Sequence, residues 1–280
     1  MNCKYTNLTK VEIEQLILPF IPKNKRGFTS KFNMVDIFKC MVYKLKTGCQ
    51  WNNLFVDIES VKPPFSWQTV YYYYRKWCHL NVFEQMFKTY RSILKDCLDT
   101  EKLNLDGSHS LVKKSAESVD YQPRKKGRTS NVLVMTDGKG IPIAMGNILS
   151  GNHNDLFEIV PQFSLMIKDL KHSGILIDNA LLNADKGFDS KKFRRAIQRR
   201  KMIPNIIENK RNRKSKKRGK KRLFNQDIYD QRFVNERTFA WLDSFRTLLI
   251  RFDKLDLAWM NWHYLAFTLI IESVKSSLSD

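Results

Sequence analysis

Three acidic residues stand where their carboxylates could hold divalent metal ions: Asp106, Asp185 and Glu236. The two aspartates each follow a segment with the apolar pattern of a strand, and Glu236 lies in an amphipathic segment. Mg²⁺ and Mn²⁺ prefer hard oxygen ligands such as these. Two such ions about 3.5–4 Å apart can activate an attacking oxygen and stabilise a leaving one at phosphorus. The three residues therefore predict phosphoryl transfer that depends on two Mg²⁺ or Mn²⁺ ions.

Each of these residues also has a purely structural interpretation. An aspartate at a strand end is often a turn or capping residue, and Asp185 precedes a glycine-containing turn. Tyr229, Arg232 and Glu236 are spaced by three and four residues, so in a continuous helix they share one face. That face could meet a phosphate. Alternatively, Arg232 and Glu236 form an ordinary ion pair, which contributes only a few tenths of a kcal/mol.

Two histidines lie close to the aspartates or to a predicted helix start. His109 is three residues beyond Asp106, so it either contacts substrate or is a polar strand residue. His153, with Asn154 and Asp155, precedes a predicted helix. We expect it to cap that helix or to shape the rim of the site.

The elements that must position these residues follow from the periodicity of the second part of the chain. Strands are predicted at 102–106, 132–135, 141–149, 175–177 and 202–207, and helices at 155–170, 190–200 and 227–252. The order of three antiparallel strands, helix, strand, helix, strand, helix matches the α/β ribonuclease-H-like fold, a mixed sheet flanked by helices. In that fold, acidic residues on neighbouring strands and on the last helix converge at one edge. Asp106, Asp185 and Glu236 occupy those elements.

The first 100 residues predict helices and almost no strands, at 8–18, 33–47, 66–77 and 81–98. Short turns between such helices suit a helix-turn-helix-like arrangement. We therefore predict an all-α DNA-binding or assembly domain at 1–100 and the catalytic domain at 101–280. Aromatic residues 71–74 could stack on bases or pack the interior of the first domain. Dimerisation is the alternative role for that domain.

The charge of the chain points to a polyanionic partner. Lysine and arginine number 49 against 28 aspartate and glutamate residues, which gives a formal net charge of +21. Such an excess repels itself, and binding to nucleic acid relieves the repulsion and releases condensed counterions. An acidic membrane surface is the alternative partner. With 42% hydrophobic residues, the chain can bury a core and is not a disordered chain.

A basic run at 210–222 holds ten lysines and arginines among its thirteen residues. These charges repel one another and bury nothing, so the run is either a solvated loop or a contact to the DNA backbone. We favour DNA contact. The predicted DNA-binding cations in this run are Lys210, Arg211, Arg213, Lys214, Lys216, Lys217 and Arg218, and Arg75 and Lys76 join them from the helical part.

Nothing in the sequence favours a membrane or secreted location. The most apolar run, at 262–271, is too short to span a bilayer, and the N-terminus lacks the layout of a secretory signal. The five cysteines are odd in number and have no paired CxxC spacing, which argues against a zinc site or a disulfide framework. A cytoplasmic, nucleoid-associated protein is expected.

Motifs along most of the chain resemble those of bacterial insertion-sequence transposases of the IS5 group, within the IS4-like DDE class. In the helical part they are Lys46-Thr47-Gly48-Cys49-Gln50-Trp51, Trp67-Gln68-Thr69-Val70-Tyr71 and Arg75-Lys76-Trp77. In the second part they are Leu105-Asp106-Gly107-Ser108, Ala184-Asp185-Lys186-Gly187-Phe188-Asp189-Ser190 and Asn235-Glu236-Arg237-Thr238-Phe239-Ala240-Trp241 with Arg246. The match extends from about residue 27 to residue 255.

The resemblance implies a Tyr-two-Arg-three-Glu-six-Lys signature, which places Tyr229 and Arg232 on DNA beside the catalytic Glu236. The lysine position is occupied by Asp243, so Arg237 or Arg246 would supply that DNA-contacting cation. Phe188 stands where a tyrosine is usual.

The resemblance also implies an activity: excision and insertion of a DNA element at its terminal inverted repeats, with two Mg²⁺ or Mn²⁺ ions. Double-stranded DNA is the implied partner, bound by a homodimer or higher homo-oligomer. Two alternatives remain at this point. A noncatalytic DNA-binding protein, either a regulator or a decayed transposase, would keep the helical part. A stand-alone nuclease would use the same fold and site.

Overall fold

The computed structural model describes residues 10–21, 31–54, 65–209 and 223–279. The chain divides into two compact units. The first unit comprises Met1–Tyr90, Lys113–Glu117 and Leu242–Asp280, and the second comprises Arg91–Val112 and Ser118–Trp241. The start and the end of the chain thus share a unit. The division into domains 1–100 and 101–280 stays a prediction.

Helices dominate the first unit, and a mixed sheet with helices forms the second. The helices are α1 Lys10–Ile17, α2 Met34–Thr47, α3 Trp67–His79, α4 Val82–Ile93, α5 Ile159–His172, α6 Lys191–Arg199, α7 Gln226–Asp230, α8 Val234–Asp243, α9 Arg246–Leu249 and α10 Asp256–Ser279. The strands are β1 Lys102–Val112, β2 Asp120–Gln122, β3 Gly127–Thr136, β4 Pro142–Met145, β5 Leu149–Ser150, β6 Leu181–Ala184, β7 Ile203–Ile206 and β8 Ile250–Arg251.

The early helices form where the apolar spacing predicted them. Helix α2 begins at a cap, because the Asn33 side chain accepts a hydrogen bond from the Val35 N–H at 2.9 Å. It ends at Gly48, whose φ of +66° is a left-handed conformation that glycine adopts without strain. The predictions at 33–47 and 66–77 are confirmed by α2 and α3. Part of the predicted helix 8–18 lies outside the described residues.

The last helix completes the core of the first unit. On α3, the Tyr74 ring stacks on Trp262 of α10 with 4.1 Å between centroids, and its hydroxyl donates to the Ala258 carbonyl at 2.5 Å. Phe87 of α4 lies against Phe267 of α10, with their ring centroids 5.4 Å apart. The apolar run at 262–271 is therefore a buried core segment. Among the described residues, no helix is long and apolar enough to cross a membrane.

The sheet of the second unit has the order β2-β3-β1-β6-β7, with β4 and β5 also paired to β3. β1 runs antiparallel to β3 and parallel to β6, and β6 runs parallel to β7. This is the ribonuclease-H-like arrangement predicted from the order of the elements. Helices α5 and α6 pack on the strands, where Phe163 and Phe193 join their buried core. One detail differs: Asp106 lies within β1, which continues to Val112, and does not end it.

The strand predicted at 175–177 is wrong. Ile175 and Ile177 are buried, but Leu176 is 84% exposed and the segment belongs to no strand. Its backbone instead closes the end of α5, because the Ile175 N–H donates to the Leu170 carbonyl at 3.1 Å. The strand beside β1 is β6, four residues further on. Alternating burial can therefore arise from packing on a core without strand pairing.

The single long helix predicted at 227–252 is also wrong. The segment breaks into α7, a 3₁₀ turn at Gln231–Phe233, α8 and α9. Two hydrogen bonds attach α8 to the strand β3 and the turn after it. Asn235 accepts from the Thr136 hydroxyl at 2.7 Å, and the Thr238 hydroxyl donates to the Gly140 carbonyl at 2.6 Å. Helix α7 is held separately at Asn225, whose N–H donates to Asn205 at 2.8 Å. The 3₁₀ turn interrupts the α-helical geometry between α7 and α8, and residues 244–245 separate α8 from α9.

Candidate active site

The two predicted aspartates lie side by side on neighbouring parallel strands. The register of β1 and β6 pairs Leu105 with Ala184, so the next residue of each chain segment is an aspartate: Asp106 and Asp185. β6 ends at Ala184, and Asp185 begins a 3₁₀ turn whose Lys186 N–H donates to the Asp185 carboxylate at 2.7 Å. Parallel pairing therefore brings together two carboxylates that are far apart in sequence.

The surroundings of Asp106 disfavour its negative charge. Burial raises the pKa of Asp106 to about 6. The Gly107 N–H, which donates to its carboxylate at 2.8 Å, and the Arg232 guanidinium lower this pKa, whereas the charges of Asp185 and Asp155 raise it. The negative charges of Asp106, Asp155 and Asp185 thus repel one another, and the positive charge of Arg232 acts against this repulsion. A divalent cation would relieve that repulsion, so the donor set fits a metal ion that prefers oxygen ligands.

Tyr229 and Arg232 reach the same carboxylates from the helical segment after β7. The Tyr229 hydroxyl lies 3.4 Å from Asp185 Oδ1, and the Arg232 guanidinium lies over the Tyr229 ring, 5.1 Å from its centroid. Burial raises the pKa of Tyr229, so it remains a hydroxyl donor at neutral pH. Arg232 also lowers the pKa of Asp106. The structure therefore brings together four of the predicted residues: Asp106, Asp185, Tyr229 and Arg232.

A buried row of hydrogen-bonded asparagine side chains, called the asparagine ladder below, connects the elements that carry Asp106, Asp185 and Tyr229. Asn183 donates to Asn104 at 2.9 Å, and Asn205 donates to Asn183 at 2.8 Å, across β1, β6 and β7. Asn104 and Asn183 each precede an aspartate by two residues, so each shares a sheet face with its aspartate. The ladder continues to Asn225 at the start of α7. It thereby ties the helix that carries Tyr229 to the strands that carry the carboxylates.

Asp155 is a member of the site that the sequence analysis missed. The negative charge of Asp155 raises the pKa of Asp106. Burial is the main cause that raises the pKa of Asp155 itself, and the charge of Asp185 raises it further. Asp155 lies against the turn that follows Asp185, since a Cβ at Gly187 would overlap the Asp155 carboxylate. In the sequence, Asp155 resembles a helix-capping residue, and no local pattern marks it as a neighbour of Asp106.

The expected capping role near residue 153 is wrong. Helix α5 begins at Ile159, and its N-cap Glu158 makes no side-chain capping bond. Asn154 accepts from the Leu156 N–H at 3.0 Å in a local turn, and His153 stacks on Phe157 with centroids 3.5 Å apart.

His109 behaves as a polar strand residue in contact with the next strand. Its Nδ1 lies 3.2 Å from the Thr129 hydroxyl of β3. Burial lowers the pKa of His109, and the charge of Asp155 raises it. These interactions do not test whether His109 contacts substrate, and that role stays a prediction.

Glu236 does not join the aspartates in this structure. It is exposed in the first turn of α8, directly after the 3₁₀ turn that contains Arg232. A 3₁₀ turn at Gln231–Phe233 changes the helical geometry between Tyr229 and Glu236, and of the three residues it is Tyr229 and Arg232 that act on the aspartates. Within the described part of the chain, no three acidic, histidine or cysteine side chains are grouped closely enough to hold one ion.

Substituting Asp106 by Asn is expected to stabilise the metal-free protein at neutral pH. Ionisation of Asp106 opposes folding above pH 6, because the folded-state pKa of about 6 exceeds the ordinary value of 3.8. This difference corresponds to roughly 3 kcal/mol as an order of magnitude. The cost of ionisation falls as pH decreases through 6 and disappears below about 4. Thermal unfolding of Asp106→Asn and wild type in a chelator should therefore differ at pH 7.5 and converge at pH 4. Equal stability at both pH values would contradict the raised pKa.

The remaining predicted DNA-binding residues are distributed over both units. The seven cations of the basic run at 210–222 lie outside the described residues. Arg237, in the second unit, donates to the Lys139 carbonyl and lies over the Trp241 ring at 5.1 Å. In the first unit, Arg75 donates to the Tyr71 hydroxyl at 3.2 Å, Lys76 is half-buried, and Arg246 is exposed with its Cβ close to Gly48. Asp243 is exposed.

A basic helix face in the second unit was missed by the sequence analysis. Helix α6 buries Phe193, Ile197 and Arg194, and the Arg194 charge is compensated by Asp189 at 2.8 Å. Its opposite face carries the cations Lys191, Lys192, Arg195 and Arg199. Part of this face borders a cavity of about 670 Å³ that Leu223 also lines. Leu223 is the first described residue after the basic run in the sequence.

Comparison with family models covers nearly the whole chain. Residues 12–87 match the family described as "Putative transposase of IS4/5 family (DUF4096)". Residues 98–271, more than half of the chain, match the family described as "Transposase DDE domain". The second match contains Asp106, Asp155, Asp185 and Glu236.

A curated relative and several solved structures are similar to parts of the chain. The "Putative transposase for insertion sequence element IS402" of Burkholderia cepacia is 34% identical over 124 residues. That alignment covers 43% of this chain and 52% of the relative, so the chain matches about half the relative's length. The Mos1 strand transfer complex aligns at 12% identity with a TM-score of 0.32, over 90% of this chain and 81% of that one. The catalytic domain of Mos1 mariner transposase aligns at 11% with a TM-score of 0.31, over 67% and 91%. These structural similarities are too low to bear on function. On the strength of the family match over residues 98–271, the chain belongs to the DDE transposase family.

Proposed function

We propose that this protein is a DNA transposase that cuts and joins DNA at the terminal inverted repeats of an insertion sequence. The observation that supports this most directly is the pairing of Asp106 and Asp185 on parallel strands, in a chain of the DDE family. The mutual repulsion of their negative charges is suited to a divalent cation. The alternatives, a nuclease or a noncatalytic regulator, differ in the products that they form from DNA.

Asp106 and Asp185 would hold Mg²⁺ or Mn²⁺, and two such ions would supply electrostatic stabilisation of the charge that develops at phosphorus. Tyr229 would orient Asp185 through its hydroxyl, 3.4 Å from the carboxylate. Arg232 places a permanent positive charge beside the aspartates, where it can receive a phosphate oxygen of the DNA backbone. The asparagine ladder holds these side chains at one level of the sheet.

The third carboxylate is proposed to be Glu236, with Asp155 as the competing candidate. The family resemblance favours Glu236, which would have to approach the aspartates from its exposed position on α8. The geometry favours Asp155, because its charge already acts on Asp106. Both carboxylates could serve, since a site for two ions needs several oxygen ligands.

DNA binding is proposed to rest on the backbone phosphates. The net charge of +21, the basic run at 210–222 and the cationic face of α6 all favour a polyanion. Leu223 connects two of these features, because it follows the basic run and lines the cavity beside Lys191 and Arg195. We further propose that the protein acts on two DNA ends as a homodimer or higher oligomer.

The test is a cleavage and joining assay with the full chain. The substrate is a supercoiled plasmid that carries the coding region with its native flanking DNA, and the reactions contain Mg²⁺, Mn²⁺ or EDTA. We expect cleavage at the ends of the element and joined products with either metal ion, and neither product in EDTA.

The outcomes separate the three functions. Cleaved ends without joined products would assign a nuclease. Specific binding to the ends without cleavage in either metal would assign a noncatalytic DNA-binding protein. Cleavage that persists in EDTA would exclude the proposed metal-dependent site.

A further inference from the structure

The two aromatic motifs of the helical part, at 46–51 and 67–71, have no role in the catalytic site. In the first unit they border one cavity of about 720 Å³. Its aromatic lining includes Trp51, Trp67 and Tyr71, which come from both motifs. A cavity of this volume is within the range that takes small, largely enclosed ligands. Residues separated in sequence by the segment 55–64 thus share one surface.

The aromatic wall is held in place before any ligand arrives. Trp51 meets Tyr71 edge-on with centroids 5.1 Å apart, and it is backed by Tyr74 at 5.6 Å. Arg75 donates to the Tyr71 hydroxyl at 3.2 Å and fixes the other end of that ring. Rings fixed in this way lose little conformational entropy when a flat ligand stacks on them.

The polar lining is equally ordered. The buried Lys44 donates from Nζ to the Cys49 carbonyl at 2.7 Å and lies over the Trp51 ring, 4.8 Å from its centroid. It thereby fixes the turn that presents Gln50, an exposed residue that lines the cavity. Asp253 adds an acceptor to the lining. Amide and carboxylate groups beside aromatic rings are the combination that recognises the edge and the face of a nucleobase.

A positive charge at the edge of the cavity favours flat ligands that carry a phosphate. Lys114 is exposed and also lines the cavity, so a cation is available for a phosphate attached to the ligand. An apolar peptide would leave the exposed polar groups of Gln50 and Lys114 without matching groups. A nucleobase that remains in its DNA strand supplies a flat ring, polar edges and an adjacent phosphate.

We propose that this cavity captures a single unstacked nucleobase of the DNA that the protein binds. This proposal depends on the proposed function in one respect, namely that the protein binds DNA. Capture would hold a DNA strand at a nucleotide displaced from its helix, because base stacking on aromatic rings compensates for the stacking lost in the duplex. Trp67 and Tyr71 would supply the stacking surface, and Gln50 would contact the base edge.

The experiment uses the full chain and synthetic duplexes of one sequence. One duplex carries a single unpaired 2-aminopurine nucleotide, a second has that nucleotide paired, and the single strand is the third probe. Affinity is measured by fluorescence anisotropy, and stacking by quenching of 2-aminopurine. We expect the duplex with the unpaired base to bind roughly tenfold more tightly than the paired one, with quenching on binding. Preference for the single strand over both duplexes would instead assign the cavity to single-stranded DNA.

Matched variants of helix α3 show whether the cavity is responsible. Trp67→Ala and Tyr71→Ala should remove both the preference and the quenching, whereas Trp67→Phe should keep most of each. Tyr72→Ala is the control, since Tyr72 is on the same helix, is 59% exposed and does not line the cavity. It should behave as wild type. Circular dichroism melting of each variant checks folding.

Two results would overturn the proposal. One is that the wild-type protein binds the paired and unpaired duplexes with equal affinity and does not quench 2-aminopurine. This result does not depend on the folding of any variant. The other is a folded Trp67→Ala protein that retains the preference and the quenching. Affinity for the paired duplex and the cleavage assay test the proposed function separately, so either proposal can fail while the other stands.

Discussion

Asp106→Asn and Asp185→Asn are each expected to reduce strand cleavage at least about a hundredfold while DNA binding stays near wild type. The carboxylates would hold the ions that stabilise charge at phosphorus, a contribution of several kcal/mol, and an amide supplies no negative charge to hold them. Single-turnover cleavage of end-bearing DNA at saturating metal measures the loss. A gel-shift titration of the same variants measures binding.

Asp178→Asn is the matched control for these variants. Asp178 is in the same unit, its side chain is 50% exposed, and its carboxylate lies 3.7 Å from the Lys201 ammonium. The loss of one exposed negative charge should leave cleavage unchanged. If Asp106→Asn or Asp185→Asn cleaves at a rate near that of Asp178→Asn, that aspartate is not a ligand.

Glu236→Gln and Asp155→Asn distinguish the two candidates for the third carboxylate. If Glu236 approaches the aspartates when DNA and metal bind, Glu236→Gln should match the loss of the Asp106 variant, and Asp155→Asn should have a smaller effect. The reverse order would make Asp155 the third ligand. A structural role for Asp155 alone would instead lower thermal stability without raising the metal concentration needed for half-maximal cleavage.

Neutralising the basic run at 210–222 is expected to weaken DNA binding by two orders of magnitude or more at physiological salt. For each phosphate that the run no longer neutralises, the log–log dependence of affinity on salt should flatten by about 0.9. Glutamine substitution of Lys210, Arg211, Arg213, Lys214, Lys216, Lys217 and Arg218 removes seven positive charges. Because binding to phosphates carries no base information, affinity for end-bearing and unrelated DNA should fall together.

A charge-matched pair controls for the general loss of positive charge. Lys216→Gln with Lys217→Gln removes two charges from the run, and Lys168→Gln with Lys171→Gln removes two exposed charges from α5. The first pair should flatten the salt dependence by nearly two units and the second by much less. Equal slopes for the two pairs would mean that the run at 210–222 faces solvent when DNA is bound.

The break in the long predicted helix shows the limit of periodicity as a guide. Residues 227–252 have apolar positions at helical spacing over most of their length, which is why one helix was predicted. Apolar spacing reports which side chains are buried, but it does not report what holds the backbone on either side. Here Asn225 and Asn235 attach consecutive segments to different parts of the sheet. Between Tyr229 and Glu236 the 3₁₀ turn at Gln231–Phe233 changes the helical geometry, which the apolar spacing does not indicate.

By itself, the sequence determined the order of most strands and helices in the second unit and the pairing of Asp106 with Asp185. Both follow from local patterns, because each aspartate directly follows a buried strand segment and these two segments pair in parallel register, although β1 continues beyond Asp106. The excess of positive charge was equally evident from composition.

Only the tertiary structure decided which other groups act on that pair. Asp155 enters the site because Gly187 leaves room for it, and Glu236 lies on the exposed side of α8, which buries Asn235 and Thr238. The aromatic cavity likewise needs Asp253 beside two motifs that precede it by some two hundred residues. Desolvation and Coulomb interactions depend on the distance between groups in space. These residues are far apart in the sequence, so the sequence alone does not indicate that they are close in the folded chain.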